Sequence, residues 1–348
     1  MQMVRNATLL FLGFVGWLWM SAGATLPVAA QSAKTEVVVP FFTLRNATGD
    51  ADPSKAYGTD RSTLSSGRCF IEVTDLGFLT PLAEAAPFYV PETALSISKV
   101  ETLKIEQLTA ELARSAKPDR PVLYTHGYYV DFEKGCRRAK VLQRNSGLEG
   151  RFLWFSWPSD GSLTDYASDE ADLYWSVPDM AEVIERLGSQ FGPGRLNLAG
   201  HSLGSRGIVY ALYEIANRRP DFRLGEVALL APDMDFQTFS KLLPRIRPIV
   251  NSLTVYVAAA DRPLALSAQL HGYPRLGETG NPVTSLNGVE VIDLSDLPVR
   301  SPTGHLYHIY NREVGEDLNQ LFNEGKSADQ RRNLVRSGQN QWVLQSQD

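Results

Sequence analysis

The stretch Leu196-Asn197-Leu198-Ala199-Gly200-His201-Ser202-Leu203-Gly204 constrains this chain more than any other. A short apolar run ends abruptly in Gly-His-Ser-Leu-Gly, and Ile208, Val209, Leu212 and Ile215 then recur at helical spacing. Strand, sharp turn and helix in that order are the context a nucleophile elbow needs. Such a turn lifts the Ser202 hydroxyl clear of the sheet, and Gly200 and Gly204 leave room where side chains would collide. Three fixed positions in five arise by chance in roughly one chain in ten of this length, so the letters alone say little. The strand before them and the helix after them carry the reading.

The first thirty residues have a different character. Arg5 precedes a charge-free apolar stretch from Ala7 to Met20, and small residues then lead to Val28-Ala29-Ala30. This is the layout of a secretory signal peptide over residues 1–30, with the mature chain starting near Gln31. The apolar part is shorter than the ~20 residues of a spanning helix. The expected location is therefore periplasmic or secreted, the alternative being an anchor left uncleaved. In such a compartment Cys69 and Cys136 could pair, or remain as two free thiols. They lack the spacing and the nearby histidines of a metal site. A net charge of −5 and the lack of a Lys/Arg-rich run argue against nucleic acid as a partner.

Glu36–Leu44 reads as a strand, Asn46–Ser66 as a loop, Cys69–Val73 as a second strand and Ser96–Ala113 as a helix. From Pro121 onward strands and helices alternate. Two strands before residue 80 and six after 121 predict a mainly parallel sheet of about eight strands flanked by helices, with the N-terminal strands and loop as an extension. No linker divides the chain, so residues 31–325 are expected as one domain. Residues 326–348 are polar and Gln-rich and read as a frayed tail.

A serine hydroxyl becomes a useful nucleophile when a base takes its proton and an acid orients the base. With five histidines the search is short. His201 is held within the elbow, His126 belongs to another turn, and His271 reads as a surface or cap residue. His305 and His308 follow the last strand, where the order Ser…Asp…His puts the base. Gly304 favours His305, because it allows a loop that reaches over the sheet edge. Asp261 follows the preceding strand and is the expected acid. Asp233 and Asp235 follow the strand before that and read as helix caps, a role open to Asp261 as well. Two backbone amides must face the oxyanion: that of Leu203 after the nucleophile, and that of Tyr128 in the His126-Gly127-Tyr128 turn. Trp154, Trp157, Tyr166, Tyr174 and Trp175 could build an acyl pocket or serve as core. No metal or organic cofactor is implied.

Taken together, Tyr57-Gly58-Thr59-Asp60-Arg61, Thr125-His126-Gly127-Tyr128, Phe155-Ser156-Trp157-Pro158-Ser159, Gly200-His201-Ser202-Leu203-Gly204, Ala231-Pro232-Asp233, Asp261-Arg262-Pro263-Leu264 and Gly304-His305 resemble the α/β-hydrolase superfamily. The chain is most similar there to a bacterial family of esterase/lipase-like hydrolases without an assigned function. The resemblance implies Ser202 as nucleophile, Asp261 as acid and His305 as base, in agreement with the residues read alone. It departs at Tyr129, where relatives often carry Asn, at Leu203, often Met, and at Leu306, often Ser. The expected activity is cleavage of an ester or related acyl bond of a small-molecule or lipid substrate through an acyl-Ser202 intermediate. An amidase, a peptidase, an acyltransferase or a non-catalytic envelope binding protein are the alternatives.

Overall fold

Val122–Thr125, Phe152–Ser156 and Leu224–Leu230 are buried at every position, as strands in a parallel sheet covered by helices on both faces must be. The computed structural model describes residues 36–73, 92, 94–115, 120–162 and 164–346. The expected signal segment lies outside them. Among the described residues run the strands β1 (Glu36–Ala47), β2 (Tyr57–Val73), β3 (Leu95–Leu103), β4 (Val122–Thr125), β5 (Phe152–Ser156), β6 (Asn197–His201), β7 (Leu224–Leu230), β8 (Val250–Val257), β9 (Glu290–Asp293), β10 (Leu334–Arg336) and β11 (Gln341–Leu344). The helices are α1 (Ile105–Ser115), α2 (Phe132–Asn145), α3 (Tyr166–Phe191), α4 (Leu203–Arg218), α5 (Phe236–Ile246), α6 (Arg262–His271), α7 (Tyr307–Tyr310) and α8 (Arg312–Glu324).

The strand order is β10-β11-β9-β8-β7-β6-β4-β5-β1-β2-β3. All neighbours from β11 to β1 are parallel, while β2, β3 and β10 are antiparallel additions. The chain runs from β4 outward to β5, then returns to β6 on the other side of β4. The crevice at the carboxyl ends of β4 and β6 is thus a topological switch point, where open α/β sheets bind ligands. The elbow follows β6, and the His126-Gly127-Tyr128 turn follows β4.

Among the described residues the sheet has eleven strands, more than the expected eight or so. Residues 57–66, read as loop, belong to the seventeen-residue β2, which pairs with β1 from Glu36↔Glu72 to Ala47↔Tyr57. Residues 96–103, read as helical, form β3, with Val100 opposite Cys69. Their Ser-Ile-Ser-Lys-Val pattern pairs along β2, and helical geometry begins only at Ile105. The supposed tail is also corrected. Buried Arg331 pairs with Asp317 at 2.8 Å and Glu290 at 2.7 Å and donates to the Tyr256 hydroxyl at 3.1 Å. These bonds anchor the segment leading into β10 and β11; β11 pairs with β9 and β10 with β11, and Trp342 and Leu344 are buried.

Cys69 on β2 and Cys136 on α2 are fully buried and disulfide-bonded, with Cα atoms 6.5 Å apart. The bond spans 67 residues of sequence. Loop-closure entropy for that span is roughly 4 kcal/mol, an upper figure for what the cross-link adds. Reduction, or Cys136→Ala, should lower the melting temperature by several degrees. Equal melting curves with and without reductant would show that the bond adds nothing.

Candidate active site

Ser202 occupies the junction of β6 and α4 with φ 53° and ψ −122°. Few non-glycine residues tolerate that backbone, and it persists only where the surroundings hold it. The Ser202 amide donates to Leu230 O at 3.0 Å, and its carbonyl accepts from Ser205 N at 3.0 Å and Asp233 N at 3.2 Å. The expected need for glycine is met on both sides. A Cβ on Gly200 would lie 2.7 Å from Ser205 Cα, and one on Gly204 would lie 2.3 Å from His126 O. Gly127 adds a third close approach, since its Cβ would fall 2.8 Å from that of Ser202.

Asp261 both caps a helix and faces a histidine. Its Oδ1 caps α6 by accepting from Leu264 N at 3.0 Å, and its Oδ2 accepts from His305 Nδ1 at 2.7 Å. Both residues are buried. Gly304, at φ 69°, brings the His305 loop onto the Asp261 loop, because a Cβ there would meet Ala260 O at 2.2 Å. His201 Nε2 donates to His305 O at 3.0 Å, so the residue before Ser202 ties the histidine loop to the elbow.

The remaining histidines have other surroundings. His201 lies with its ring centroid 4.5 Å from that of His305 and 4.2 Å from that of His308. His126 stacks on Trp157 at 4.9 Å and donates Nδ1–H to Gly127 O at 2.8 Å. His271, expected as a surface or cap residue, is partly exposed in the last turn of α6, where it bonds Ser267 O four residues back and also Glu170. Asp235 caps α5, as expected. Asp233 does not cap a helix; it is buried between Arg206 and Arg275. Of the aromatic cluster, Trp154 and Trp157 are core, whereas Tyr174 and Trp175 are partly exposed.

Burial holds the imidazoles of His126, His201 and His308 well below the usual histidine range; Arg45 adds to this for His126, and neighbouring histidines for the other two. In the unfolded chain they take up protons near pH ~6.5. As pH falls through that value the unfolded state binds more protons than the folded one. Their effect on stability is therefore nil above about pH 6.5, and below it each histidine costs up to about 1.4 kcal/mol per pH unit. The melting temperature should drop steeply between about pH 6.5 and 5, and His308→Gln should make that slope shallower. An unchanged slope in the variant would contradict the assignment.

Leu203 is the first residue of α4, where backbone N–H groups and the helix dipole favour negative charge. Tyr128, the other expected donor, precedes Tyr129, which is held at φ 63°. Asparagine, common there in the similar family, accepts this conformation more readily than tyrosine. Two residues missed from the sequence hold the turn. Asp169 is fully buried and accepts from Tyr129 N at 3.2 Å, Ser159 Oγ at 2.5 Å and Asp160 N at 2.7 Å. Arg45 is buried and donates to Val130 O at 2.6 Å, Ser159 O at 2.9 Å, Gly58 O at 3.1 Å and Ser156 Oγ at 2.9 Å. Burial lowers its pKa to about 10, so it stays charged at neutral pH. Its only signal in the sequence was a lone cation at the end of an apolar strand, which ordinarily marks a strand leaving the core.

A strained serine on a helix N-terminus and a buried carboxylate–imidazole pair, all following the carboxyl ends of parallel strands, form an arrangement suited to acyl transfer. The family model for alpha/beta hydrolases of unknown function, DUF900, matches residues 102–323. An uncharacterized protein of Nostoc sp., alr1448, is 31% identical over 67 residues, which are 19% of this chain and 17% of that protein. The chain thus spans about a sixth of that relative's length. Similar solved structures include a CIB-like hydrolase from Thermoplasma acidophilum (13% identity, 83% of this chain and 99% of that one, TM-score 0.37). A putative cell surface hydrolase from Lactobacillus plantarum is another (14%, 62% and 96%, TM-score 0.40), as is an esterase from Pyrobaculum calidifontis (14%, 78% and 82%, TM-score 0.32). The chain belongs to the alpha/beta hydrolases of unknown function, DUF900.

Proposed function

We propose that this alpha/beta hydrolase is an exported serine hydrolase that cleaves an ester of a small molecule or lipid through an acyl-Ser202 intermediate. The observation that carries the reading is the 2.7 Å bond from His305 Nδ1 to Asp261 Oδ2, on the side of the sheet where the parallel strands end and Ser202 stands on its elbow. With Nδ1–H committed to Asp261, Nε2 is the free base of His305. It takes the Ser202 proton as Oγ attacks the ester carbonyl. The same proton passes to the leaving alkoxide when the C–O bond breaks. Water, deprotonated by His305, then attacks the acyl carbon and releases the acid and Ser202. The Leu203 and Tyr128 amides supply hydrogen bonds to the oxyanion in both halves. The Asp261 carboxylate orients the imidazole and stabilises the imidazolium.

A fluorophosphonate probe should label Ser202 of the wild-type protein, and a panel of p-nitrophenyl esters should be turned over far faster than the matching anilides. Faster anilide cleavage would make the protein an amidase. No labelling and no turnover would favour a binding protein. Export rests on the Arg5 to Ala30 pattern, and intact mass of the native protein should show a chain starting near Gln31; a species retaining Met1 in the membrane would point to an anchor.

A further inference from the structure

Asp233 was expected to be a helix cap, yet its carboxylate faces four donors at once. Oδ1 accepts from Ser267 Oγ at 2.6 Å and Arg275 Nε at 2.9 Å, with Arg206 Nη2 at 3.3 Å, and Oδ2 accepts from the Tyr166 hydroxyl at 2.6 Å. Its carbonyl accepts from Arg206 Nε at 2.6 Å, and its amide donates to Ser202 O at 3.2 Å. Three of these partners lead to different parts of the site. Arg206 is on α4, one turn after Ser202. Ser267 is on α6, the helix that Asp261 caps. The Tyr166 ring meets that of Tyr128 edge to face at 5.3 Å.

The turn carrying Asp233 is itself constrained. Ala231 has φ 44°, an unfavourable backbone for alanine. Leu276 N donates to Met234 O at 2.7 Å and Gly277 N to Pro232 O at 3.0 Å, pressing the segment after Arg275 onto the turn. A Cβ on Gly277 would lie 2.8 Å from Ala231 C, so the contact leaves no slack. Although burial opposes its charge, Arg206 and the hydrogen bonds from Ser267 and Tyr166 hold the Asp233 carboxyl below its usual range.

We propose that Asp233 is the positioning residue of the catalytic site, fixing the nucleophile elbow, the helix that carries the acid and the oxyanion turn relative to one another through Arg206, Ser267 and Tyr166. It touches no reacting atom; it acts on catalysis through the residues that do. The inference rests on Ser202 being the nucleophile. A displacement of about 1 Å among reacting groups is enough to cost about a hundredfold in rate.

The test compares Tyr166→Phe, Ser267→Ala and Asp233→Asn with Arg331→Lys, which loosens the remote C-terminal strands. For each full-length protein, kcat and KM on a p-nitrophenyl ester, the fluorophosphonate inactivation rate and the melting temperature are measured. Tyr166→Phe and Ser267→Ala should each lower kcat about tenfold and Asp233→Asn about a hundredfold, with KM changed by less than about threefold. Inactivation rates should fall in the same proportion, while Arg331→Lys should lower the melting temperature and leave kcat unchanged. Wild-type labelling rates in the three variants, or kcat losses that follow melting temperature on one line with Arg331→Lys, would overturn the proposal. Should Asp233→Asn not fold, the two variants that each remove a single hydroxyl decide the question. If instead Ser202→Ala keeps wild-type hydrolysis, the nucleophile reading fails and this proposal falls with it.

Discussion

Ser202→Ala should abolish fluorophosphonate labelling and lower ester turnover by about 10⁶, because the covalent route needs the hydroxyl and nothing else in the turn can replace it. His305→Ala should cost nearly as much, since nucleophile and base act as one unit and their losses do not add. The serine variant leaves the fold unchanged. Alanine keeps the Cβ already present, so the backbone at φ 53° is neither relieved nor worsened. Ser202→Gly should behave differently in stability. Glycine adopts positive φ freely, and the variant should gain about 1 kcal/mol while being equally inactive. Matched kinetics and melting curves of the two variants check this. Activity within about tenfold of wild type in Ser202→Ala would move the nucleophile elsewhere.

Asp261→Asn is expected to lower kcat by about 10⁴ with little loss of stability. Two functions of the side chain separate in this substitution. Asparagine caps helices as well as aspartate does, so the bond from Leu264 N that starts α6 is kept. The partner of His305 Nδ1 changes from a charged acceptor to an amide. The imidazole then loses both its fixed tautomer and the charge that stabilises its protonated form. Asp261→Ala should lose the cap too, adding about 1 kcal/mol of destabilisation to the same kinetic defect. Kinetics and circular-dichroism melts of both variants measure the two effects apart. A normal rate in Asp261→Asn would leave Ser202 and His305 to work as a dyad.

What the sequence determined by itself was local or ordinal. The glycines around Ser202, the apolar strands from residue 122 and the proposed order Ser202, Asp261, His305 are visible because each depends on neighbours within a few residues or on succession along the chain. The expectation of a signal segment has the same local origin, in the Arg5 to Ala30 pattern. Tertiary structure alone decided which of several plausible side chains meet. His305 rather than His308 receives Asp261, and Asp261 rather than Asp233 supplies the carboxylate, because the loops after β8 and β9 come together over Gly304. Arg45, Asp169 and Arg331 look like solvated charges in sequence and Asp233 like a helix cap, yet all four are buried. Their partners lie far away along the chain: Arg45 bonds Ser159 across 114 residues, and Arg275 bonds Asp233 across 42. The same holds for β2, β3 and the C-terminal strands. Hydropathy reports whether a segment suits water, but a charged or polar segment is buried when an opposite charge or an open strand edge awaits it. Only the folded chain brings that partner within reach.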